Sequence, residues 1–180
     1  IYLEAQLDFL LGQAMLAAWN TEQDYSYFQH AVNNYPETYD AYSALLALLD
    51  AGQPVDDLQR GLINYFRGQY DLADEAFTRY LQNEGQEKDK ALYYQALTAR
   101  AKGVEMLSLA SVERLAYNQQ DGTPYDQKAI SLWKELVETY PQSSYVVHAI
   151  EDIVYTQQAY MNKPQVAAQT ALDFVSAQPL

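Results

Sequence analysis

The chain has 180 residues, with 11 Lys and Arg against 24 Asp and Glu and no cysteine, so its formal charge is −13. This charge repels the phosphate backbone of nucleic acids, so we expect no nucleic-acid partner, and the lack of cysteine excludes disulfides, thiolate metal sites and thiol nucleophiles. The most apolar stretches, 9–19 and 44–49, are far shorter than the roughly 20 residues that cross a bilayer, so no membrane span is predicted.

Apolar side chains recur every three to four residues along almost the whole chain, and strand-like alternation is nearly absent. This periodicity predicts an all-α protein. The seven Gly and six Pro stand between the periodic segments, as expected for helices joined by short turns. We therefore expect about ten helices, and the length suits a single domain.

Five helices are predicted in the first half of the chain, and turn residues separate them. Thr21 supplies a cap for the second helix, and Pro36 separates the second from the third. Gly52 and Pro54 combine a glycine stop with a proline start, and residues 68–71 form a tight turn. The predicted ranges are 1–18, 22–34, 39–50, 54–66 and a fifth helix from the tight turn to about residue 82.

The second half follows the polar loop 83–89 and shows helical character from residue 88 to about 119. The pattern is compatible with one long bent helix or with two helices, and because a glycine inside a helix costs about 1 kcal/mol relative to alanine, we favour a break near Gly103. Residues 120–124 end it with Gly and Pro. Three further helices are predicted at 125–140, 143–160 and 164–177.

Small and bulky residues recur at fixed offsets in the first half of the chain. Leu11-Gly12 is followed by Phe28, 17 residues after Leu11, and by Pro36, 24 residues after Gly12. Gly61 stands 12 residues before the motif Ala73-x3-Phe77, which directly follows the tight turn.

The second half contains two shorter versions of the same motif. Ala129-x3-Trp133 is followed by Pro141, and Ala167-x3-Ala171 is followed by Pro179, each proline 12 residues after the first alanine. Four partial copies with matching offsets indicate an internal repeat.

These motifs resemble the tetratricopeptide pattern W-x2-L-G-x2-Y, A-x3-F and P, in which small residues let two helices approach and a bulky side chain fills the gap. Met15 stands where Tyr is usual and Asp24 where Ala is, and copies lie 38 to 56 residues apart rather than about 34. The resemblance implies one TPR-like α-solenoid of antiparallel helix hairpins, a right-handed superhelix over residues 1–180. Its irregular copies lie near 5–36, 54–85, 110–141 and 148–179, with 39–50 and 104–119 as extra helices.

The stretch from Asp40 to Gly61, leading into the turn at 68–71, also resembles the superhelical, non-catalytic region of some bacterial soluble lytic transglycosylases. That looser resemblance covers about residues 35–180 and implies peptidoglycan as a ligand and an extracytoplasmic location in the bacterial cell envelope. The catalytic Glu of those enzymes is typically followed by Ser, and this chain has no Glu-Ser dipeptide. We therefore expect this segment to be non-enzymatic.

A stack of such hairpins curves and forms a concave groove, which suits an extended peptide, a protein surface or a glycan. In the tetratricopeptide arrangement the first helix of each hairpin lines the concave side. Projection of the family's groove positions gives the predicted ligand-binding residues: Phe9, Gln13, Leu62, Tyr65, Phe66, Tyr93, Leu97, Arg100, Asp152, Thr156 and Tyr160.

Motifs of catalysis and cofactor binding are missing from the sequence. There is no G-x-S-x-G nucleophile elbow, and every glycine is isolated, so a phosphate cradle is not predicted. His148 and Glu151 lie one helical turn apart beside Asp152, but a His with a carboxylate is too small a ligand set for a metal. The adjacent carboxylates Asp56 and Asp57 are expected in the first turn of a helix, where the helix dipole favours negative charge, so we predict no catalytic role for them. We expect no metal and no cofactor.

The ends of the chain are apolar, with Ile1 at one end and Phe174-Val175 near the other. Because the end repeats of a solenoid expose faces that inner repeats bury, self-association through the ends is predicted. The chain opens without Met, which we interpret as a processed form or a segment of something longer.

Overall fold

The structure is a computed structural model that describes residues 1–18, 25–83, 85–109 and 123–177. These ranges contain nine α-helices and no β-strand, which confirms the all-α prediction. The helices pack mainly against their neighbours in sequence. They divide into two compact units, Ile1–Asn83 and Glu84–Leu180, and each unit is described by itself.

The first unit contains five helices around a core of small and aliphatic side chains. Its helices are α1 (Tyr2–Ala18), α2 (Ser26–Asn34), α3 (Tyr39–Asp50), α4 (Asp57–Phe66) and α5 (Tyr70–Gln82). Helix α1 packs on α2 and α3, α2 packs on α3, and α4 forms an antiparallel hairpin with α5. The large aliphatic and aromatic members of its core cluster are Tyr25, Phe28, Val32, Leu45, Leu48 and Ile63.

The second unit contains four helices, each packed on the next. They are α6 (Lys88–Leu109), α7 (Pro124–Thr139), α8 (Val146–Ala159) and α9 (Pro164–Ala177). Trp133 and Leu136 of α7 and Ile153 of α8 are completely or almost completely buried between them. The interior of this unit also holds buried polar side chains, among them Thr98 and Thr156, whose hydroxyls donate to backbone carbonyls one turn earlier.

Local turn chemistry sets the helix ends. Gly52 and Gly68 have φ of +67° and +72°, the left-handed conformation that ends a helix without steric cost when no Cβ is present. The side chain of Thr38 accepts from the Ala41 N–H at 3.1 Å and begins α3. Helix α4 begins at Asp57 rather than at Pro54, because the carboxylate of Asp56 accepts from the first free N–H groups and acts as the N-cap.

Two more helices begin later than the sequence predicts. Helix α2 begins at Ser26, with Tyr25 as a non-helical cap residue, and the predicted cap Thr21 lies outside the described residues. Helix α8 begins at Val146 rather than at Ser143, because the Ser143 hydroxyl accepts from the Tyr145 N–H at 3.1 Å and holds a turn there.

Two hairpins of the first unit contain the same close contact between a glycine and an aromatic ring. A methyl group at Gly12 of α1 would come within 2.6 Å of the Phe28 ring in α2. A methyl group at Gly61 of α4 would collide with the Phe77 ring in α5. Both rings are buried, and both lie 16 residues after their glycine. The sequence predicts that a small residue lets two helices approach and that a bulky side chain fills the gap. This close approach is present between α1 and α2 and between α4 and α5.

The predicted break near Gly103 is wrong, because α6 continues through it to Leu109. Gly103 is buried against the start of α7, where an added methyl group would come within 2.7 Å of the Thr123 hydroxyl oxygen. Thr123 and Asp126 form a capping box there, with Thr123 accepting from the Asp126 N–H and Asp126 accepting from the Thr123 N–H. The glycine therefore serves a close contact between two helices.

The sequence predicts one continuous repeat domain over residues 1–180. This stays a prediction, because the two compact units are described separately. The first half of the third copy, residues 110–122, lies outside the described residues, as does Pro179 of the fourth. In the described part of the chain, no helix is both long enough and apolar enough to cross a membrane.

Candidate functional site

Helices α6 and α8 of the second unit present a shared surface of aromatic and charged side chains. Helix α6 places its members at positions i, i+4 and i+7, and α8 with its cap residue places them at i, i+3, i+7 and i+10, so each set occupies one side of its helix. We call this surface the α6–α8 face. Its residues are Tyr93, Leu97 and Arg100 on one side and Tyr145, His148, Asp152 and Tyr155 on the other.

Asp152 links the two helices. Its Oδ2 accepts a hydrogen bond from the Tyr93 hydroxyl at 2.9 Å, and its Oδ1 accepts from Arg100 Nη1 at 2.5 Å. The side chains of Arg100 and Asp152 are 20% and 19% exposed, so the ion pair is screened by water less than a surface pair. Both carboxylate oxygens are engaged by donors from α6, which makes Asp152 a fixed acceptor.

The guanidinium of Arg100 also contacts two aromatic rings. It lies 5.2 Å from the centre of the Trp133 ring, which is buried in α7, and 5.9 Å from the centre of the Tyr155 ring, which is exposed. Cation–π contacts of this kind hold a guanidinium plane in one orientation. Arg100 is therefore fixed by both its charge and its stacking.

Three tyrosines lie together where α6 and α8 begin, and we call Tyr93, Tyr94 and Tyr145 the tyrosine cluster. The Tyr93 and Tyr145 rings stack at 4.9 Å between centres with an interplanar angle of 25°. Tyr94 meets both rings edge to face, at 5.6 Å from Tyr93 and 6.4 Å from Tyr145. All three side chains are partly exposed, and the His148 ring lies 6.4 Å from Tyr93.

Two hydroxyl groups on this face, those of Tyr93 and Tyr145, have a raised pKa. Burial raises the pKa of Tyr93 above its usual value, and the hydrogen bond to Asp152 raises it further. Burial also raises the pKa of Tyr145, and the nearby Tyr94, Asp89 and Glu87 add to the effect. The rings are therefore neutral at physiological pH, and the negative charge of the face resides on its carboxylates.

Carboxylates surround the tyrosine cluster. Asp89 accepts a hydrogen bond from the Ser143 hydroxyl at 2.6 Å, two residues before Tyr145. Glu151 Oε2 lies 3.4 Å from His148 Nδ1, and both side chains are more than 60% exposed. Among the residues described, no three His, Asp or Glu side chains lie close enough together to hold a metal ion.

The predicted groove residues of the first unit have mixed environments. Phe9 is partly buried, with its ring 5.6 Å from that of Phe28, and Gln13 is exposed. Leu62 is 2% exposed and belongs to the interior. Tyr65 packs edge to face on Phe66 at 5.2 Å, and Phe66 is 37% exposed. Within this set, a ring contact joins Tyr65 and Phe66.

The structure brings the predicted groove residues of the second unit closer together. Tyr93, Arg100 and Asp152 form the hydrogen-bonded network, and Leu97 lies on the same side of α6. Tyr160 ends α8 and packs edge to face on Tyr155 at 5.7 Å. Thr156 is buried, and its hydroxyl donates to the Asp152 carbonyl within α8.

Sequence reasoning missed Tyr145, Tyr155 and the role of Trp133. The tyrosines lie at offsets of −7 and +3 from Asp152, the spacing of a single helix side, so they could have been found once Asp152 was placed in the groove. His148 was not among the predicted groove residues. Nothing in the sequence pairs Trp133 with Arg100, because that contact joins two helices.

A scan against protein-family models finds no match for this chain, and a search of curated proteins likewise finds no similar sequence.

Proposed function

We propose that this chain is a non-catalytic, TPR-like helical repeat module that binds an extended segment of another protein through the α6–α8 face. The observation that carries the proposal is the network of Tyr93, Arg100 and Asp152, which holds partly exposed aromatic and charged side chains in fixed positions. A rigid surface of this composition suits recognition, since the side chains lose little freedom on binding.

The repeat architecture is part of the proposal. Gly12 with Phe28 and Gly61 with Phe77 make the same contact at the same offset, which supports two copies of one hairpin. The sequential packing of α6, α7, α8 and α9 is that of stacked hairpins. These features support stacked helix hairpins, and we propose that the stack is a right-handed α-solenoid with a concave ligand-binding side.

The chemistry of the α6–α8 face supports binding rather than catalysis. Asp152 uses both oxygens to hold Tyr93 and Arg100, so it is not placed to take a proton from a substrate. The raised pKa of Tyr93 and of Tyr145 keeps both hydroxyls protonated. Aromatic rings and an arginine are the side chains that contribute most to binding energy at protein interfaces.

A second candidate is the superhelical region of a bacterial cell-envelope lytic transglycosylase, with peptidoglycan glycan as the ligand. The observation that favours it is the set of partly exposed tyrosine rings, including the stacked Tyr93 and Tyr145 and the exposed Tyr155. Flat aromatic faces with a polar edge also suit sugar rings. In this case the location is extracytoplasmic, and the chemistry belongs to another domain.

Direct binding measurements separate the two candidates. Labelled peptides of varied sequence and soluble peptidoglycan fragments are titrated with the protein at low and moderate salt, with fluorescence anisotropy as the readout. We expect saturable peptide binding that falls about tenfold in Tyr155→Ala and is unchanged in Tyr39→Ala. Both tyrosines are more than half exposed, so neither change should unfold the chain, and Tyr39 lies on α3 of the other unit.

Three other outcomes would contradict peptide binding at the α6–α8 face. Saturable glycan binding that is lost in Tyr93→Ala or Tyr65→Ala, without peptide binding, selects the second candidate. Peptide binding that is equally sensitive to Tyr39→Ala and Tyr155→Ala removes the α6–α8 face as the site. Absence of saturable binding to any peptide contradicts the proposed function.

A further inference from the structure

The tyrosine cluster combines two features that attract a positive charge. Its rings present π-electron density, with Tyr93 and Tyr145 stacked and Tyr94 edge-on to both. All three rings are partly exposed and are therefore within reach of a ligand. The negative face of such a ring attracts an ammonium or guanidinium group.

The charges around the cluster favour a cation as well. Two cations of α6 are held in ion pairs, Lys90 with Glu87 at 3.3 Å and Arg100 with Asp152. Asp89 accepts a hydrogen bond from the neutral Ser143 hydroxyl, which leaves its negative charge in place beside Tyr145. The electrostatic environment of Tyr145 is thus acidic, and an anionic ligand would be repelled there.

The same face already holds a cation on its rings. Arg100 lies between Trp133 and Tyr155, at 5.2 and 5.9 Å from the ring centres, with Asp152 neutralising its charge. The tyrosine cluster likewise offers a ligand aromatic rings with a carboxylate nearby, because Asp89 acts electrostatically on Tyr145 and accepts from Ser143.

We propose that the tyrosine cluster and Asp89 bind a basic side chain, a lysine ammonium or an arginine guanidinium, of the segment that docks on the α6–α8 face. This inference rests on the proposed function and adds the chemical class of the ligand. The bound group lies against the rings of Tyr145 and Tyr93, and its charge is balanced by Asp89. A formal charge of −13 on the whole chain steers such segments toward the protein.

The test uses a fluorescent peptide of alternating lysine and serine as the probe and the same peptide with acetylated lysines as its neutral counterpart. Anisotropy titrations of the full chain should show that acetylation weakens binding at least tenfold. Tyr145→Leu keeps the net charge and should weaken binding of the lysine peptide roughly fivefold. Tyr145→Phe keeps the ring and should bind like the wild type, which separates loss of the ring from loss of folding.

Two charge-matched variants separate the site from the overall charge. Asp89→Asn should weaken binding of the lysine peptide several-fold, whereas Asp50→Asn, at the exposed end of α3 in the first unit, should leave it unchanged. Equal effects of the two changes, together with wild-type affinity in Tyr145→Leu, would show binding by net charge alone and overturn the inference.

The peptide set also distinguishes failure of the inference from failure of the proposed function. Tight binding of neutral or acidic peptides to the α6–α8 face, with no gain from lysine or arginine, overturns the basic ligand and leaves the peptide-binding function intact. No binding of any peptide, whatever its charge, overturns both.

Discussion

The two units differ in how they use charged side chains. Residues 1–83 contain three Arg and no Lys against twelve Asp and Glu, whereas residues 84–180 contain eight Lys and Arg against twelve. In the first unit, Arg60 and Arg79 both pair with Asp57 at the start of α4, and Arg67 donates to the Glu37 carbonyl. These cations stabilise turns and helix ends rather than a binding surface.

The second unit instead uses polar groups to join helices that are not consecutive. Asp152 of α8 binds Tyr93 and Arg100 of α6, and Asp89 at the start of α6 binds Ser143 before α8. In the first unit the corresponding tight contacts are apolar, with a ring packed on a glycine between consecutive helices. Similar hairpin motifs therefore occur in both units beside different polar contacts, which in the second unit form an ordered network between α6 and α8.

The largest loss of stability is expected from a substitution that disrupts the apolar packing of the first unit. Phe77 is completely buried against Gly61, so Phe77→Ala should lower the free energy of unfolding by about 3–5 kcal/mol. Phe66→Ala, which removes a 37% exposed ring on α4, should cost about 1 kcal/mol or less. Urea denaturation followed by circular dichroism measures both. Equal losses would contradict the role of the glycine–ring contact.

A smaller effect is expected from the polar network of the second unit. Asp152→Ala removes the acceptor of both Tyr93 and Arg100 and should cost about 2 kcal/mol, because a hydrogen bond to a charged group contributes about 1.5–3 kcal/mol and the partly exposed donors can bond to water instead. Glu151→Ala removes the same charge from the neighbouring, 69% exposed position and should stay within about 0.5 kcal/mol. If Glu151→Ala lowered the free energy of unfolding as much as Asp152→Ala, the loss would come from the change in net charge and not from the hydrogen-bonded network.

The smallest effect is a difference between the units at alkaline pH. The pKa values of Tyr93, Tyr145 and Tyr160 are raised in the second unit, so their neutral forms stabilise the folded state below pH about 10, the pKa of unfolded tyrosine. As the pH rises above that value, the unfolded chain loses protons first and this stability is lost. In the first unit the pKa of Tyr35 is raised, by desolvation and by the nearby carboxylates of Glu4 and Asp8.

Tyr93→Phe measures the contribution of one of these hydroxyls. At neutral pH it should lower the free energy of unfolding by about 1 kcal/mol, because Asp152 loses one donor. Above pH about 10 the stability of this variant should fall less steeply than that of the wild type, since it lacks one tyrosine with a raised pKa. Denaturant titrations at several pH values give both slopes, and parallel slopes would exclude Tyr93 as a source of the alkaline loss.

Much of the secondary structure was predictable from sequence. The predicted ranges 39–50 and 164–177 match α3 and α9, since Thr38, Gly52 and Pro164 mark their ends by local chemistry. The start of α4 and the continuity of α6 were not predictable in this way. Pro54 and Asp56 are both residues that commonly stand at a helix start, and the structure uses Asp56 as the N-cap. Gly103 is required by the close contact with the start of α7, which the sequence of α6 does not reveal.

The candidate site was predictable in part. Tyr93, Arg100 and Asp152 were placed on one groove by the repeat resemblance, and the structure brings them within hydrogen-bond distance. Leu62 and Thr156 came from the same projection and are buried, because a helical position next to a groove can rotate into the core with a small change in helix orientation. Tyr145 and Trp133 entered the site only through contacts with α6.

The amino-acid sequence by itself determined that this protein is helical, strongly acidic and without cysteine, and that small residues face bulky ones at fixed offsets, because periodicity, caps and composition are local properties. The side chains that meet across α6 and α8 could be identified only from the packing of the helices. Those contacts join residues more than 50 positions apart, and such pairs depend on the relative placement of whole helices.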